Sequence, residues 1–154
     1  MDKDKALREH VLEMLEGKSA HIDIESALKD FPLGKINEKP NGSPHSAWQL
    51  LEHIRIAQWG ILDFCRNSDY KEMKWPDDYW PKENGTADKW NESLRGLLSD
   101  LQEMRDLVAD ESIDLFAKIA WGSGQTILRE ALLIVDHNAY HLGQIVFIKK
   151  MFEV

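Results

Sequence analysis

The feature that most constrains the fold is a run of apolar residues at alternating steps of four and three between Asp88 and Ala109. The run consists of Trp90, Leu94, Leu97, Leu101, Met104 and Val108. This spacing places these side chains on one face of an α-helix. A stripe that continues for so many turns is typical of a helix that packs lengthwise against other helices. The segment therefore predicts one long helix of a bundle.

Three further segments carry strong helical periodicity, and a fourth carries a weaker one. The predicted helices cover Lys3 to Glu16, Ser43 to about Phe64 or Asn67, and Thr126 to Met151, with a short helix at Ile22 to Phe31. Ser43 is the expected N-cap of its helix because Pro44 suits the first helical position. The last helix is apolar on nearly every side, so we expect it to be buried in the middle of the bundle.

The amino-acid composition limits the classes of protein to which this chain can belong. The chain has 154 residues, with 19 Lys and Arg against 27 Asp and Glu, a net charge of −8. This acidic balance argues against a nucleic acid or an anionic membrane as the main partner. The longest apolar run, Ala131 to Val135, is too short to span a bilayer. Since the N-terminus is charged, we expect no signal peptide and a cytoplasmic location.

Three histidines carry the strongest functional signal. His137 and His141 are four residues apart on the apolar last helix, so both rings project from one face. Such a pair is often structural, but His53 lies close to the apolar stripe of the helix that begins at Ser43. If two antiparallel or crossing helices bring His53 opposite the pair, the three imidazoles form an open metal site. Zn, Ni, Fe or Mn is compatible with these ligands.

Other residues near these histidines have weaker signals. Glu52 and Asp136 are each one residue from a predicted ligand and point about 100° away from it, so they are better surface or supporting residues than catalytic bases. Gln144 lies on the face of His141, and His45 falls on the side of His53 near the predicted site. Cys65 is the only cysteine. It excludes a disulfide framework and a cysteine-rich zinc site, and we interpret it as a packing residue.

The aromatic sequence WPDDYWP at 75–81 lies in a predicted irregular connection between helices. One interpretation makes it a lid over the metal end of the bundle. The other makes it an aromatic cluster that seals the bundle, since so many rings would not be left in water. The two are compatible, because a sealing cluster can also form one wall of a pocket.

Three stretches match the pattern of a known family. They are HSAWQLLEHIRIAQWGILDFCRN at 45–67, KWPDDYWPK at 74–82 and, most specifically, GQTILREALLIVDHNAYHLGQIV at 124–146. On these stretches the chain resembles the DinB-like (YfiT-like) superfamily of metalloenzymes over nearly its whole length. The resemblance implies a four-helix bundle with one long crossover connection, which we expect to form a single domain over residues 1–154. It also implies a homodimer and a divalent metal ion held by His53, His137 and His141.

The resemblance further implies chemistry on a small molecule, because characterised relatives include transferases and isomerases that use thiols such as mycothiol, bacillithiol or glutathione. We expect a thiol-dependent S-transferase or a hydrolase, in which the metal lowers the pKa of a bound thiol or water. A thiol route needs no protein cysteine, whereas a hydrolase normally needs a nearby base. The alternatives are a non-catalytic bundle that binds a metal or small ligand, and a structural bundle without metal.

Overall fold

A computed structural model describes residues 3–153 and shows an all-helical fold. The helices are α1 (Lys3–Glu16), α2 (Ile24–Leu28), α3 (Ala47–Arg66), α4 (Ala87–Ala109) and α5 (Ile127–Phe152), with a 3₁₀ turn at Leu33–Lys35. Within residues 3–153 there is no β-strand, only an isolated bridge between Lys118 and Thr126. The all-α four-helix bundle is confirmed. Met1, Asp2 and Val154 of the predicted domain lie outside the described residues. None of the helices described is long and apolar enough to cross a membrane.

The long helices α3 and α4 run parallel. Ser93 of α4 donates a hydrogen bond to the carboxylate of Glu52 in the first half of α3, at 2.6 Å. Arg66, at the end of α3, pairs with Glu103 in the second half of α4. Two consecutive parallel helices require a connection that returns along the bundle, and residues 67–86 provide it. This crossover brings the aromatic sequence back to the first half of α3.

The long helices α3 and α5 run antiparallel, as their two shared core clusters show. The first cluster joins Leu50, Leu51 and Ile54 of α3 to Leu142, Ile145 and Ile148 of α5. The second joins Leu62 and Cys65 of α3 to Ala131 and Ile134 of α5. Helix α1 packs against α4 and α5. The antiparallel pairing sets the middle of α3 opposite the middle of α5, where the predicted histidines lie.

The start of α3 differs from the prediction. The N-cap is Ser46, whose hydroxyl accepts from Gln49 N at 3.2 Å while the Gln49 side chain accepts from Ser46 N at 3.1 Å. Ser43 instead donates to the carbonyl of His45 at 2.6 Å. The expectation for Ser43 was wrong because a reciprocal capping box satisfies two backbone N–H groups at once. The predicted helix at Ile22 to Phe31 is also shorter, at Ile24–Leu28.

The expectation that α5 would be buried on all sides was wrong. Leu132 is 48% exposed, and Tyr140 and Phe147 are each 66% exposed. In a four-helix bundle each helix packs mainly against its neighbours, here α3 and α1, and its remaining side faces outward. The homodimer stays a prediction.

Candidate metal centre

The three predicted histidines lie together at the antiparallel contact of α3 and α5. His53 is 3% exposed, and His137 and His141 are half-buried. One ligand nitrogen from each ring lies within 4.8 Å of the others. The Nε2 atoms of His53 and His137 are 3.1 Å apart. Two nitrogens about 2.0–2.1 Å from a tetrahedral zinc ion lie roughly 3.3 Å apart, so this separation suits ligands of one ion.

Two of the three rings are held in the tautomer that leaves Nε2 available to a metal. The Nδ1 of His53 donates to the backbone carbonyl of Tyr79 at 2.9 Å, and that of His141 donates to Gln144 Oε1 at 2.8 Å. A proton on Nδ1 leaves the lone pair on Nε2. Hydrogen bonds of this kind orient metal-ligating histidines and raise their basicity.

His137 differs from the other two rings at its outer nitrogen. Its Nδ1 is buried and has no hydrogen-bond partner among residues 3–153. A buried ring without a complete set of partners is costly, so the remaining nitrogen needs a strong partner. Its Nε2 faces the other two histidines, and three neutral imidazoles are a suitable donor set for a divalent transition metal. The residues present therefore fit a metal ion.

The electrostatics of the cluster favour the neutral forms of His137 and His53. Burial, followed by the neighbouring rings of His141 and His53, lowers the pKa of His137 to about 4. Burial likewise lowers the pKa of His53, although its bond to Tyr79 partly opposes the shift. Only neutral imidazole has a lone pair to offer a metal, so these shifts favour the protonation state of His53 and His137 that can bind one.

The crossover supplies one wall of the centre. The ring of Trp80 stacks on His53 with centroids 4.0 Å apart and a 3° angle between planes, and its other stacking partner is His45 at 4.2 Å. Trp75 contacts His53 only edge-on at 6.4 Å and is 66% exposed. The aromatic sequence therefore forms a wall through Trp80, while the expectation that all its rings would be buried was wrong for Trp75. His45 lies beside this wall.

A cavity of about 970 Å³ opens from the three histidines toward the first half of α5. Tyr79 and Tyr140 line it near the cluster. Its other lining residues include Phe64, Tyr70, Trp121, Gln125, Arg129 and Glu130. Burial raises the pKa of the Tyr70 hydroxyl, with smaller contributions from Tyr79 and from acidic neighbours, so the hydroxyl stays protonated. The cavity offers room for a small molecule beside the cluster.

Cys65, Glu52 and Asp136 do not belong to the histidine cluster. Burial raises the pKa of the Cys65 thiol to about 12, which makes it a packing residue and not a nucleophile. Glu52 bonds to Arg55 and Ser93, and Asp136 is exposed. No carboxylate joins the histidine cluster within residues 3–153.

Fold and site together define an α-helical bundle protein with a three-histidine cluster compatible with metal binding. The comparison with family models identifies the family. The model described as the DinB superfamily matches residues 19–145, and the chain belongs to that superfamily. Searches of curated proteins and of solved structures gave no significant match.

Sequence reasoning missed the polar residues that support or extend the site. Glu130 is seven residues before His137, a spacing that places both on the same side of α5, and this signal could have identified it. Asn138 donates to Gln58 Oε1 and Gln58 donates to the Leu97 carbonyl, both at 2.7 Å. Nothing in the sequence pairs these two amides, because they come from different helices.

Proposed function

We propose that the protein is a divalent-metal-dependent enzyme that activates a small-molecule thiol for transfer to an electrophile. The observation that carries the proposal is the orientation of the rings. His53 and His141 use Nδ1 to donate to Tyr79 and Gln144, which leaves Nε2 free to coordinate. His53, His137 and His141 would hold the ion, with Zn, Ni, Fe or Mn all compatible with this donor set.

The surroundings of the cluster favour thiol transfer over hydrolysis. A divalent cation supplies Lewis acidity, which lowers the pKa of a thiol or a water molecule at an open coordination position. A thiol that loses its proton in this way needs no further base. Hydrolysis usually needs one, and no carboxylate lies with the histidines in the described chain. The buried Cys65 is not required, because the thiol is part of the substrate.

The cavity supports a small molecule as the substrate. Its volume of about 970 Å³ is at the upper end of the range for sites that bind small ligands. Trp80 covers His53 from one side and excludes water from that face of the ring. Aromatic rings on the cavity lining provide an apolar surface for the body of an electrophile.

The second candidate is a bundle that binds a metal or a small ligand without catalysis. The observation that favours it is the same absence of a carboxylate beside the cluster within residues 3–153, because a metal with only imidazole neighbours provides no base for water. Such a protein would use the cavity to carry or sense its ligand.

Metal analysis followed by turnover assays separates these functions. We expect about one divalent ion per chain, and conjugation of monochlorobimane to cysteine that depends on that ion. Metal without turnover, with thiols and with ester substrates, would indicate the non-catalytic binder. Absence of metal after purification and after incubation with Zn²⁺, Ni²⁺, Fe²⁺ and Mn²⁺ would indicate a structural bundle and overturn the proposal.

A further inference from the structure

A buried carboxylate lies in the same cavity as the metal centre but far from the metal. Glu130 is 3% exposed and lines the cavity together with His53, His137 and His141. It precedes His137 by seven residues, which corresponds to about 10 Å along the helix axis and nearly the same side of α5. At that distance Glu130 is out of reach of an atom bound to the metal, so it is not a base for the reacting group.

The hydrogen bonding of Glu130 is incomplete. Arg129 Nη1 donates to its Oε1 at 2.7 Å, and this is the one side-chain hydrogen bond to the carboxylate among the described residues. The Arg129 side chain is 56% exposed, whereas the Glu130 side chain is 4% exposed. The guanidinium therefore holds the carboxylate from the solvent side and leaves one oxygen for a donor inside the cavity.

The charges and rings on the cavity lining indicate which donor fills that site. The lining contains the carboxylates of Glu72 and Glu130 and one guanidinium, that of Arg129, an excess of one negative charge. Phe64 and Tyr70 line it too, with ring centroids 5.2 Å apart. A carboxylate combined with aromatic rings is an arrangement that binds organic cations, through a charge-assisted hydrogen bond and cation–π attraction.

We propose that the part of the cavity around Glu130 binds a cationic nitrogen of the substrate, an ammonium or amidinium group about 10 Å from its reacting end. Glu130 accepts the hydrogen bond, and Arg129 positions the carboxylate. The inference rests on the proposed function, because the metal centre holds the reacting end of the same molecule. The proposed site predicts that the substrate is an elongated amine. One end of it reacts at the metal, the other end carries the cationic nitrogen, and an apolar body joins the two.

The experiment compares hexylammonium with hexanol, which has a similar length and no charge. Each is titrated into metal-free and Zn²⁺-loaded protein, and binding is followed by the NMR signal of the indole N–H of Trp121, a residue on the cavity lining. We expect hexylammonium to bind at least about tenfold more tightly than hexanol in both forms. Equal affinities would overturn the inference. The comparison uses the unmodified protein, so it does not depend on whether a variant folds.

Two variants test the role of the carboxylate. Glu130→Gln removes the charge with little change of shape, and we expect it to abolish the preference for hexylammonium. Asp136→Asn removes an exposed charge from the same helix at a position closer to His137, and we expect it to retain the preference. If both variants lost the preference for hexylammonium equally, the cause would be the general negative charge of the protein. That result would overturn the assignment to Glu130.

Zinc content, measured on the same samples, separates this inference from the proposed function. A preference for hexylammonium in protein that binds no zinc would support the amine site and reject the metal-dependent function. Zinc binding without that preference would leave the metal function standing and reject the amine site.

Discussion

The Nε2 atoms of His53 and His137 lie 3.1 Å apart, although 84 residues separate them in the chain. His53 carries its proton on Nδ1, so its Nε2 presents a lone pair to the ring of His137. In the metal-free protein His137 donates from Nε2 into this lone pair, because two bare lone pairs at this distance would repel. Coordination of a metal through His137 Nε2 therefore requires the ring proton to move to Nδ1, so metal uptake is coupled to a change of tautomer on this ring.

Replacing any of the three histidines by alanine is expected to lower the affinity for Zn²⁺ at least about 100-fold, because each removes one of three ligands. Competition with a chromogenic chelator measures the affinity. His45→Ala is the matched control, since this ring stacks on Trp80 beside the cluster but is not part of it. Full affinity in all three alanine variants would reject the site.

Gln144 supports His141 from outside the cluster, and its loss is expected to weaken metal binding without abolishing it. Gln144→Leu removes the acceptor of the 2.8 Å bond from His141 Nδ1, and we expect a decrease in Zn²⁺ affinity of about 10–100-fold. Gln144→Glu keeps an acceptor and is expected to retain or increase the affinity. If the Leu and Glu variants bind zinc equally well, the hydrogen bond has no role in the site.

The stability of the metal-free protein is expected to fall as the pH decreases from about 6.5 toward 4. The pKa of His137 lies at about 4 in the folded chain, below its ordinary value of 6.5, chiefly because of burial. Over this range the unfolded chain binds a proton that the folded chain does not, so acid favours unfolding. For one group the slope of the free energy of unfolding is at most about 1.4 kcal/mol per pH unit.

Urea denaturation at several pH values measures that slope, with His137→Gln as the control. The Gln side chain does not titrate, so the variant should show a shallower dependence on pH over the same interval. An identical slope in both proteins would contradict the assignment of the effect to His137.

Trp80 and Trp75 provide a matched pair for the aromatic wall. Trp80→Ala removes the ring stacked on His53 and is expected to reduce the free energy of unfolding by about 1–3 kcal/mol, and to weaken metal binding. Trp75→Ala should change stability by less than about 0.5 kcal/mol, because this ring is 66% exposed. Equal effects in thermal and urea unfolding would argue against a specific wall at Trp80.

The buried amides of Gln58 and Asn138 join α3 to α5 beside the histidine cluster. Asn138→Ala leaves Gln58 Oε1 without its donor, and we expect a loss of about 1–3 kcal/mol in the free energy of unfolding. In the double variant with Gln58→Leu the losses should be less than additive, since the second change removes the unsatisfied group. Additive losses in urea denaturation would show that the two side chains do not act as a pair.

The local sequence pattern was sufficient to predict the long helices and to select the histidines that form the cluster. The stripe from Trp90 to Val108 and the four-residue step from His137 to His141 depend only on helical geometry, and the structure has α4 and α5 within about a residue of the predicted bounds. Ser43 was chosen as a cap on local grounds too, and the choice failed because Ser46 has Gln49 three residues later as a reciprocal partner. Ser43 and Ser46 were both suitable caps on local grounds, and the helix begins at Ser46 because its capping box forms two hydrogen bonds.

The assembly of the site depends on contacts between segments that are distant in the chain, so only the tertiary structure decided it. The antiparallel pairing of α3 with α5 sets His53 against His137, and the crossover brings the Tyr79 carbonyl and the Trp80 ring to His53. Packing of the whole bundle also leaves Tyr140 exposed on a helix whose composition predicted burial. Residue spacing determines which side chains share a face of one helix, whereas burial and partners depend on the other helices that pack against that face.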